Sequence, residues 1–164
     1  MKVDKRRRRE NKTDYGRRLK LLKSEMPRLV FRKTNKYITA QYVQSEEAQD
    51  KVVIGINSSA LMQYGWPKEF EGSLKSITAS YLTGFLIAKE IQKQKLETPI
   101  MDFGMIRMIS KNKAFAFIKG VADAGVEVNC SEENFPEKDR IEGKNLKEDF
   151  SKTFKDIKSK IDKK

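Results

Sequence analysis

The sequence contains no histidine and a single cysteine, Cys130, among its 164 residues. One cysteine cannot form an internal disulfide, and without histidine there is neither a Cys–His nucleophile pair nor the usual ligand set of a zinc site. No run of roughly 18 apolar residues is present, and no apolar stretch follows the N-terminal arginines as a secretory signal requires. These absences predict a cytosolic protein that has no membrane partner, no metal and no cofactor.

Positive charge, by contrast, is present in excess and is concentrated at one end. The net charge is +12, and residues 1–36 hold 15 Lys/Arg against 4 Asp/Glu, whereas residues 37–164 hold 20 against 19. An ordinary solvated surface mixes both signs, whereas segregated charge is typical of an arm that binds nucleic acid. The alternatives for such a run are a targeting signal or a solubility tail. The basic character continues past the run into a patterned segment, which favours the nucleic-acid interpretation.

The basic end is predicted to consist of an arm and a helix. Residues 1–12 form an arm that we expect to be disordered until phosphates neutralise its arginines. Thr13 is a predicted cap for a helix that runs to about Lys23 and ends before Pro27. An apolar stripe at helical spacing is expected to dock this helix, and it consists of Tyr15, Leu19, Leu22 and Met26.

The middle of the chain predicts an α/β body over residues 13–128. Residues 28–32, 37–44 and 51–57 are predicted strands of an antiparallel meander, with a polar turn at residues 46–50. A long helix is predicted from a cap at Ser73 to about Lys95, followed by a buried strand at 99–104 that joins the sheet in parallel by crossover. A second helix is predicted over residues 113–124, so helices pack on the sheet.

Residues 129–164 are predicted to be a loop followed by a C-terminal amphipathic helix. Residues 129–144 are polar and contain Pro136 and Gly143, which favours a loop. Asn145 and Glu148 have capping-box spacing at the predicted start of the last helix. Its apolar stripe consists of Leu146, Phe150, Phe154, Ile157 and Ile161. This stripe is expected to pack on its own domain, with a neighbouring protein or a membrane as alternatives.

Several motifs in order resemble one known family, the archaeal-type large-subunit ribosomal protein L-eighteen. They begin with Thr13-Asp14-Tyr15, the stretch from Arg18 to Ser24, and Pro27-Arg28-Leu29-Val30. Later matches are Asn35-Lys36, Ala40-Gln41, Ser58-Ser59, Tyr64-Gly65-Trp66, residues 79–84, Lys119-Gly120 and Asp123-Ala124-Gly125. The ordered series covers residues 5–128. Two regions depart from the family pattern: residues 105–112 are shorter than in many members, and residues 129–164 match less clearly.

The resemblance implies a structural protein of the large ribosomal subunit in the cytoplasm. It implies binding to 5S rRNA, a place in the central protuberance, and contacts with large-subunit rRNA. It also implies neighbouring large-subunit ribosomal proteins, including the other 5S rRNA-associated protein. No enzymatic activity is implied, and no catalytic residue is predicted.

The cations of arm, helix and first hairpin would form one continuous face if these elements pack together. Such a face neutralises phosphates, while unstacked bases and RNA shape provide selectivity. Tyr64 and Trp66, in a glycine-containing loop, are equally compatible with base stacking and with core packing. The predicted RNA-binding residues are Lys5, Arg6, Arg7, Arg8, Arg9, Lys12, Tyr15, Arg17, Arg18, Lys20, Lys23, Arg28, Arg32, Lys33, Asn35, Lys36, Tyr64 and Trp66.

Two other functions remain open from the residues alone. A metal-dependent nucleic-acid-processing enzyme would use Asp102, with Asp123 as a second carboxylate, although no third carboxylate has a clear place beside them. A buried aspartate paired with arginine or backbone amides is the structural alternative for Asp102. A non-specific nucleic-acid-binding protein would share the basic arm but would not discriminate among RNAs.

Overall fold

A four-stranded sheet lies at the centre of the computed structural model, which describes residues 3–47, 49–145 and 149–163. The strands are Arg28–Lys33 (β1), Ile38–Glu46 (β2), Gln49–Asn57 (β3) and Ile100–Asp102 (β4), in the order β3-β2-β1-β4. The first three form an antiparallel meander, and β4 pairs in parallel with β1. The predicted α/β class, with its meander and its parallel strand added by crossover, is confirmed.

The helices in the described part of the chain flank this sheet. The α-helices are Arg6–Arg9 (α1), Tyr15–Lys23 (α2), Ile77–Lys93 (α3), Lys113–Asp123 (α4), Lys138–Glu142 (α5) and Ser151–Asp162 (α6). Short 3-10 turns span Ser58–Tyr64, Lys68–Ser73 and Glu132–Asn134. Within the described ranges, none of these helices is both long and apolar enough to cross a membrane.

The core lies between one face of the sheet and α3 and α4. Leu29 and Phe31 alternate inward along β1, and the Phe31 ring lies 4.9 Å from that of Phe117 on α4. The predicted apolar face of α6 is buried too, with Phe154 5% exposed and Ile157 fully buried. The prediction that this helix packs on its own domain is therefore confirmed.

The backbones of α3 and α4 touch where each helix provides a glycine. A Cβ atom at Gly84 would lie 2.3 Å from the Phe117 carbonyl oxygen, and one at Gly120 would lie 2.1 Å from that of Tyr81. No side chain fits at either position without moving a helix. The pair Gly84 and Gly120 therefore sets the distance between the two helices that cover the sheet.

Three predicted helix starts were wrong, and at two of them a nearby side chain caps the helix instead of the predicted one. Asp14, not Thr13, accepts hydrogen bonds from the first N–H groups of α2, and Ser76, not Ser73, caps α3. The last helix begins at Ser151, six residues after Asn145. Two residues of that prediction, Leu146 and Glu148, lie outside the described residues.

The prediction that residues 129–144 form only a loop was also wrong. Helix α5 lies within them, and its Ile141 is buried in the core. Five residues with a single inward apolar side chain give almost no periodic signal, so α5 could not be predicted from the pattern.

The docking stripe predicted for α2 is largely exposed. Leu19 is 55% exposed, Met26 is 44% exposed and Tyr15 is 36% exposed, while Leu22 is half-buried. No residue of α2 is buried. Leu21 and Leu22 are half-buried, so the helix has only a small apolar contact with the body and most of its surface is open to a partner.

Candidate nucleic-acid interface

The sheet face opposite α3 and α4 receives the N-terminal segments. Because side chains alternate along a strand, Arg28 and Arg32 point to this face while Phe31 points to the core. Helix α2 reaches the same face, where Arg18 Nη2 lies 2.9 Å from Asp50 Oδ2 on β3. The fold thus brings the basic helix and β1 together, which is the condition on which the predicted cationic face depended.

Arg28 is a correction to the predicted interface. It is 2% exposed, and its guanidinium lies 2.7 Å from Asp50 and 3.2 Å from Asp102. Ser45 Oγ accepts a third hydrogen bond at 2.9 Å. With its nitrogens enclosed by acids and core, Arg28 cannot reach an RNA phosphate and instead ties β1 to β3 and β4.

Arg18 and Arg32 lie at the rim of this buried network. Arg32 donates to the Asp102 carbonyl oxygen at 2.8 Å and lies 3.3 Å from its carboxylate, yet 42% of its side chain is exposed. Arg18 keeps 37% of its side chain exposed beside Asp50. Both side chains are therefore partly open to solvent at this rim, where a phosphate can approach their positive charge.

Sequence analysis did not identify Asp50, although this residue pairs with both Arg18 and Arg28. Burial raises the pKa of its carboxyl, but hydrogen bonds from Ser45, Arg18 and Arg28 outweigh burial and hold that pKa below its ordinary value. Asp50 is therefore ionised at neutral pH. This role follows from the register of β2 and β3, which places Ser45 opposite Asp50. Amino-acid composition does not show strand register.

Helix α2 presents the most accessible cations. Arg17, Lys20 and Lys23 are exposed, and of these Arg17 donates to the Gly104 carbonyl oxygen at 3.3 Å. Asp14 caps the helix, and its pKa is lowered chiefly by the hydrogen bond from the backbone N–H of Arg17. The helix is anchored at its first turn, and the cations beyond that turn are free to meet a polyanion.

The arm follows the start of α2. Arg8 lies 3.3 Å from Asp14, Arg7 donates to Thr13 Oγ1 at 3.0 Å, and the Lys5 ammonium lies 4.7 Å from the centre of the Tyr15 ring. All residues of α1 are exposed. These contacts direct the arginine run toward the cations of α2. The expectation that the free arm is disordered stays a prediction.

The hairpin cations do not all join that face. Lys33, Asn35 and Lys36 are exposed at and after the end of β1. Lys33, one residue beyond Arg32, points to the opposite side of the strand and lines a groove with Ile77. The predicted single continuous face is therefore wrong at Lys33, because strand alternation turns it away.

Trp66 is a second correction, and Tyr64 is half-buried. The Trp66 indole is 4% exposed, donates its N–H to the Phe70 carbonyl oxygen at 3.0 Å and lies 4.8 Å from the Phe150 ring. A ring enclosed in this way cannot stack on a base. Tyr64 packs against the same core. These aromatics therefore support the body of the protein.

The carboxylates considered for an enzyme are placed apart. Asp102 pairs with Arg28 and Arg32, whereas Asp123 accepts a 2.7 Å hydrogen bond from the Tyr81 hydroxyl and lies 3.0 Å from Lys119. No group of three or more candidate metal ligands occurs in residues 3–47, 49–145 and 149–163. The structural alternative for Asp102, pairing with arginine, is confirmed.

The cations that remain form what we call the N-terminal cationic surface. Arm, α2 and β1 meet around a small cavity of about 100 Å³, into which Asp14 and Asp102 also project. The surface is defined by Lys5, Arg6, Arg7, Arg8, Arg9, Lys12, Arg17, Arg18, Lys20, Lys23 and Arg32. Most of these side chains are exposed, which suits phosphate binding without a deep pocket.

Comparison with known proteins identifies relatives of the chain. The family model described as "Ribosomal large subunit proteins 60S L5, and 50S L18" matches residues 1–99. A protein of Korarchaeum cryptofilum named large ribosomal subunit protein uL18 is 43% identical over 145 residues, which cover 88% of this chain and 72% of that protein. A protein of Methanoregula boonei with the same name is 38% identical over 141 residues, which cover 86% of this chain and 79% of that protein. The residues matched by the family model include the whole N-terminal cationic surface.

Proposed function

The chain belongs to the L-eighteen family of large-subunit ribosomal proteins, and from that premise we propose that it binds 5S rRNA through its N-terminal cationic surface. Membership makes it a structural, non-enzymatic constituent of the large subunit in the cytoplasm. Its partners are ribosomal RNA and neighbouring ribosomal proteins. More specifically, we propose that the bound RNA is 5S rRNA and that the protein binds it in the central protuberance.

The observation that supports this proposal most strongly is the open surface of α2. A helix with no buried residue, anchored by Asp14 and Asp50, carries Arg17, Lys20 and Lys23 outward beside the arginine run. A helix with so little apolar cover gains little from the rest of its own chain. Phosphates that bind these cations release counterions and stabilise the arm and helix together.

We propose that the two parts of the chain have different tasks. Residues 1–12 act as an arm along the RNA backbone, and the body from residue 13 to 128 fixes where that arm begins. Residues 129–164 complete the body through α6 and are expected to face neighbouring proteins, including the other 5S rRNA-associated protein. Asn35 and Lys36, exposed beyond β1, extend the proposed RNA-binding set.

Reversing the charge of two exposed cations on α2 tests the proposal. Arg17→Glu with Lys20→Glu is expected to weaken binding to 5S rRNA about 100-fold, roughly tenfold for each lost phosphate contact. Thermal unfolding should change little, because neither side chain is buried. Fluorescence anisotropy with labelled 5S rRNA measures the affinity.

The matched control reverses two lysines of α6 instead. Lys152→Glu with Lys155→Glu makes the same change in net charge at exposed positions outside the N-terminal cationic surface. We expect near-normal affinity for this variant. Equal loss in both variants, or equal affinity of the unaltered chain for 5S rRNA, transfer RNA and duplex DNA, would instead favour the non-specific nucleic-acid binder.

A further inference from the structure

A groove outside the N-terminal cationic surface combines an apolar floor with a basic rim. It has a volume of about 590 Å³ and lies between the end of β1, the starts of α3 and α4, and residues 106–112. Ile77 and Ile106 are half-buried in its floor, and Ile109 at its edge is 55% exposed. An apolar recess of this size, open to solvent, is the kind of surface that partners cover.

The charged side chains that line the groove are all basic. Lys33, Arg107, Lys111, Lys113 and Arg140 line it, and none of the described residues that line it is acidic. Burial lowers the pKa of the Lys113 ammonium, and the positive charges of Lys33 and Lys75 lower it further. An anionic group in the groove would relieve this repulsion, so charge complementarity points to an acidic occupant.

The surroundings of the groove favour a peptide over RNA. Unpaired bases stack on exposed aromatic rings, but Phe31, the one aromatic among the described lining residues, is 1% exposed. The flexible side chain of Met108 is 37% exposed on the segment 106–112 that borders the groove. Aliphatic recesses with methionines beside them accommodate peptide side chains.

We propose that this groove binds an acidic peptide segment of a protein partner. An apolar side chain of the peptide rests on Ile77 and Ile106, and neighbouring carboxylates pair with Arg107 and Lys113, while Lys111 keeps its 2.9 Å pair with Glu137. Since Lys33 and Arg32 point to opposite sides of β1, the groove stays open while the N-terminal cationic surface holds RNA. The groove is therefore a protein-docking site additional to RNA binding.

The test uses the full chain and a labelled 12-residue peptide of alternating glutamate and leucine. We expect saturable binding by anisotropy, weakened about tenfold by Lys113→Gln and about tenfold by Ile109→Ser. Lys155→Gln, with the same charge loss on α6, should bind normally. Replacing Arg6, Arg7, Arg8 and Arg9 together by glutamine should also leave peptide binding unchanged, which separates this site from the arm.

Three results would overturn the proposal. The first is no binding of the alternating peptide, or equal binding by all variants. The second is equal binding of a 12-residue polyglutamate, since charge alone would then suffice and the apolar floor would be irrelevant. The third is displacement of the peptide by oligouridine in a manner that depends on Lys113, which would assign the groove to RNA.

Discussion

Replacing Asp102 with leucine is expected to lower the free energy of unfolding by about 3–5 kcal/mol, because it removes one acid from a buried arginine. The Arg28 side chain is 3% exposed, and its Nε is a buried side-chain nitrogen with no hydrogen-bond partner among the described residues. Asp50 alone would then face the guanidinium. Leucine also leaves the Gly104 N–H without the carboxylate it donates to at 2.8 Å. Urea unfolding followed by circular dichroism measures the loss.

A second substitution distinguishes two causes of the lost stability, an incompletely paired buried charge and a general packing defect. Adding Arg28→Met to Asp102→Leu should recover part of the lost stability, because the buried charge that had lost one of its two acids is gone. Asp139→Ala, which breaks the exposed pair with Lys144, should leave the unfolding midpoint nearly unchanged. A double variant less stable than Asp102→Leu alone would contradict this explanation of the network.

Placing a methyl group at Gly120 is expected to destabilise the protein by about 3 kcal/mol, despite the preference of helices for alanine. The new Cβ would lie 2.1 Å from the Tyr81 carbonyl oxygen and 3.0 Å from the Phe85 backbone nitrogen. Backbone atoms of a packed helix cannot rotate away, so α3 and α4 must separate. The cavity this opens lies directly over the sheet. Thermal unfolding of Gly120→Ala measures the effect.

Gly72→Ala is the matched control for that substitution. A Cβ at Gly72 has no heavy atom within 4 Å, so its melting temperature should stay near that of the unaltered chain. Gly84→Ala, which meets the Phe117 carbonyl at 2.3 Å, should behave like Gly120→Ala. If Gly120→Ala were as stable as Gly72→Ala, the helices would not be held apart by the glycine pair.

The sheet could be predicted because its signals are local and repeated. Short stretches separated by polar turns predicted three strands, and the long helix before residue 100 required a crossover to a parallel strand. Cap positions could not be fixed in this way, since Thr13 and Asp14 are adjacent and both can cap a helix. Helix α5 is too short to produce a period. The packing of α3 on α4 depends on contacts between residues 33 and 39 positions apart, Gly84 with Phe117 and Gly120 with Tyr81.

The candidate site was only partly predictable, because the charge of a side chain does not show which face of the sheet it points to. Arg28 and Arg32 look alike in the sequence, but the first is enclosed by Asp50 and Asp102, which are 22 and 74 residues away. Lys33 is next to Arg32 and faces the other side of the sheet. Trp66 is buried by Phe150, which belongs to the distant C-terminal segment. Each of these misassignments follows from tertiary contacts, which composition cannot specify.

The salt dependence of 5S rRNA binding tests the central claim most directly. Replacing Arg6, Arg7, Arg8 and Arg9 by glutamine should reduce the slope of log affinity against log salt concentration by about three units, since each phosphate contact contributes about 0.7–0.9. The control replaces four exposed lysines in α6 or at its end by glutamine, which removes the same net charge: Lys152, Lys155, Lys160 and Lys163. We predict a flattened slope for the arginine variant only. An unchanged slope in that variant, or equal flattening in both, would contradict the account.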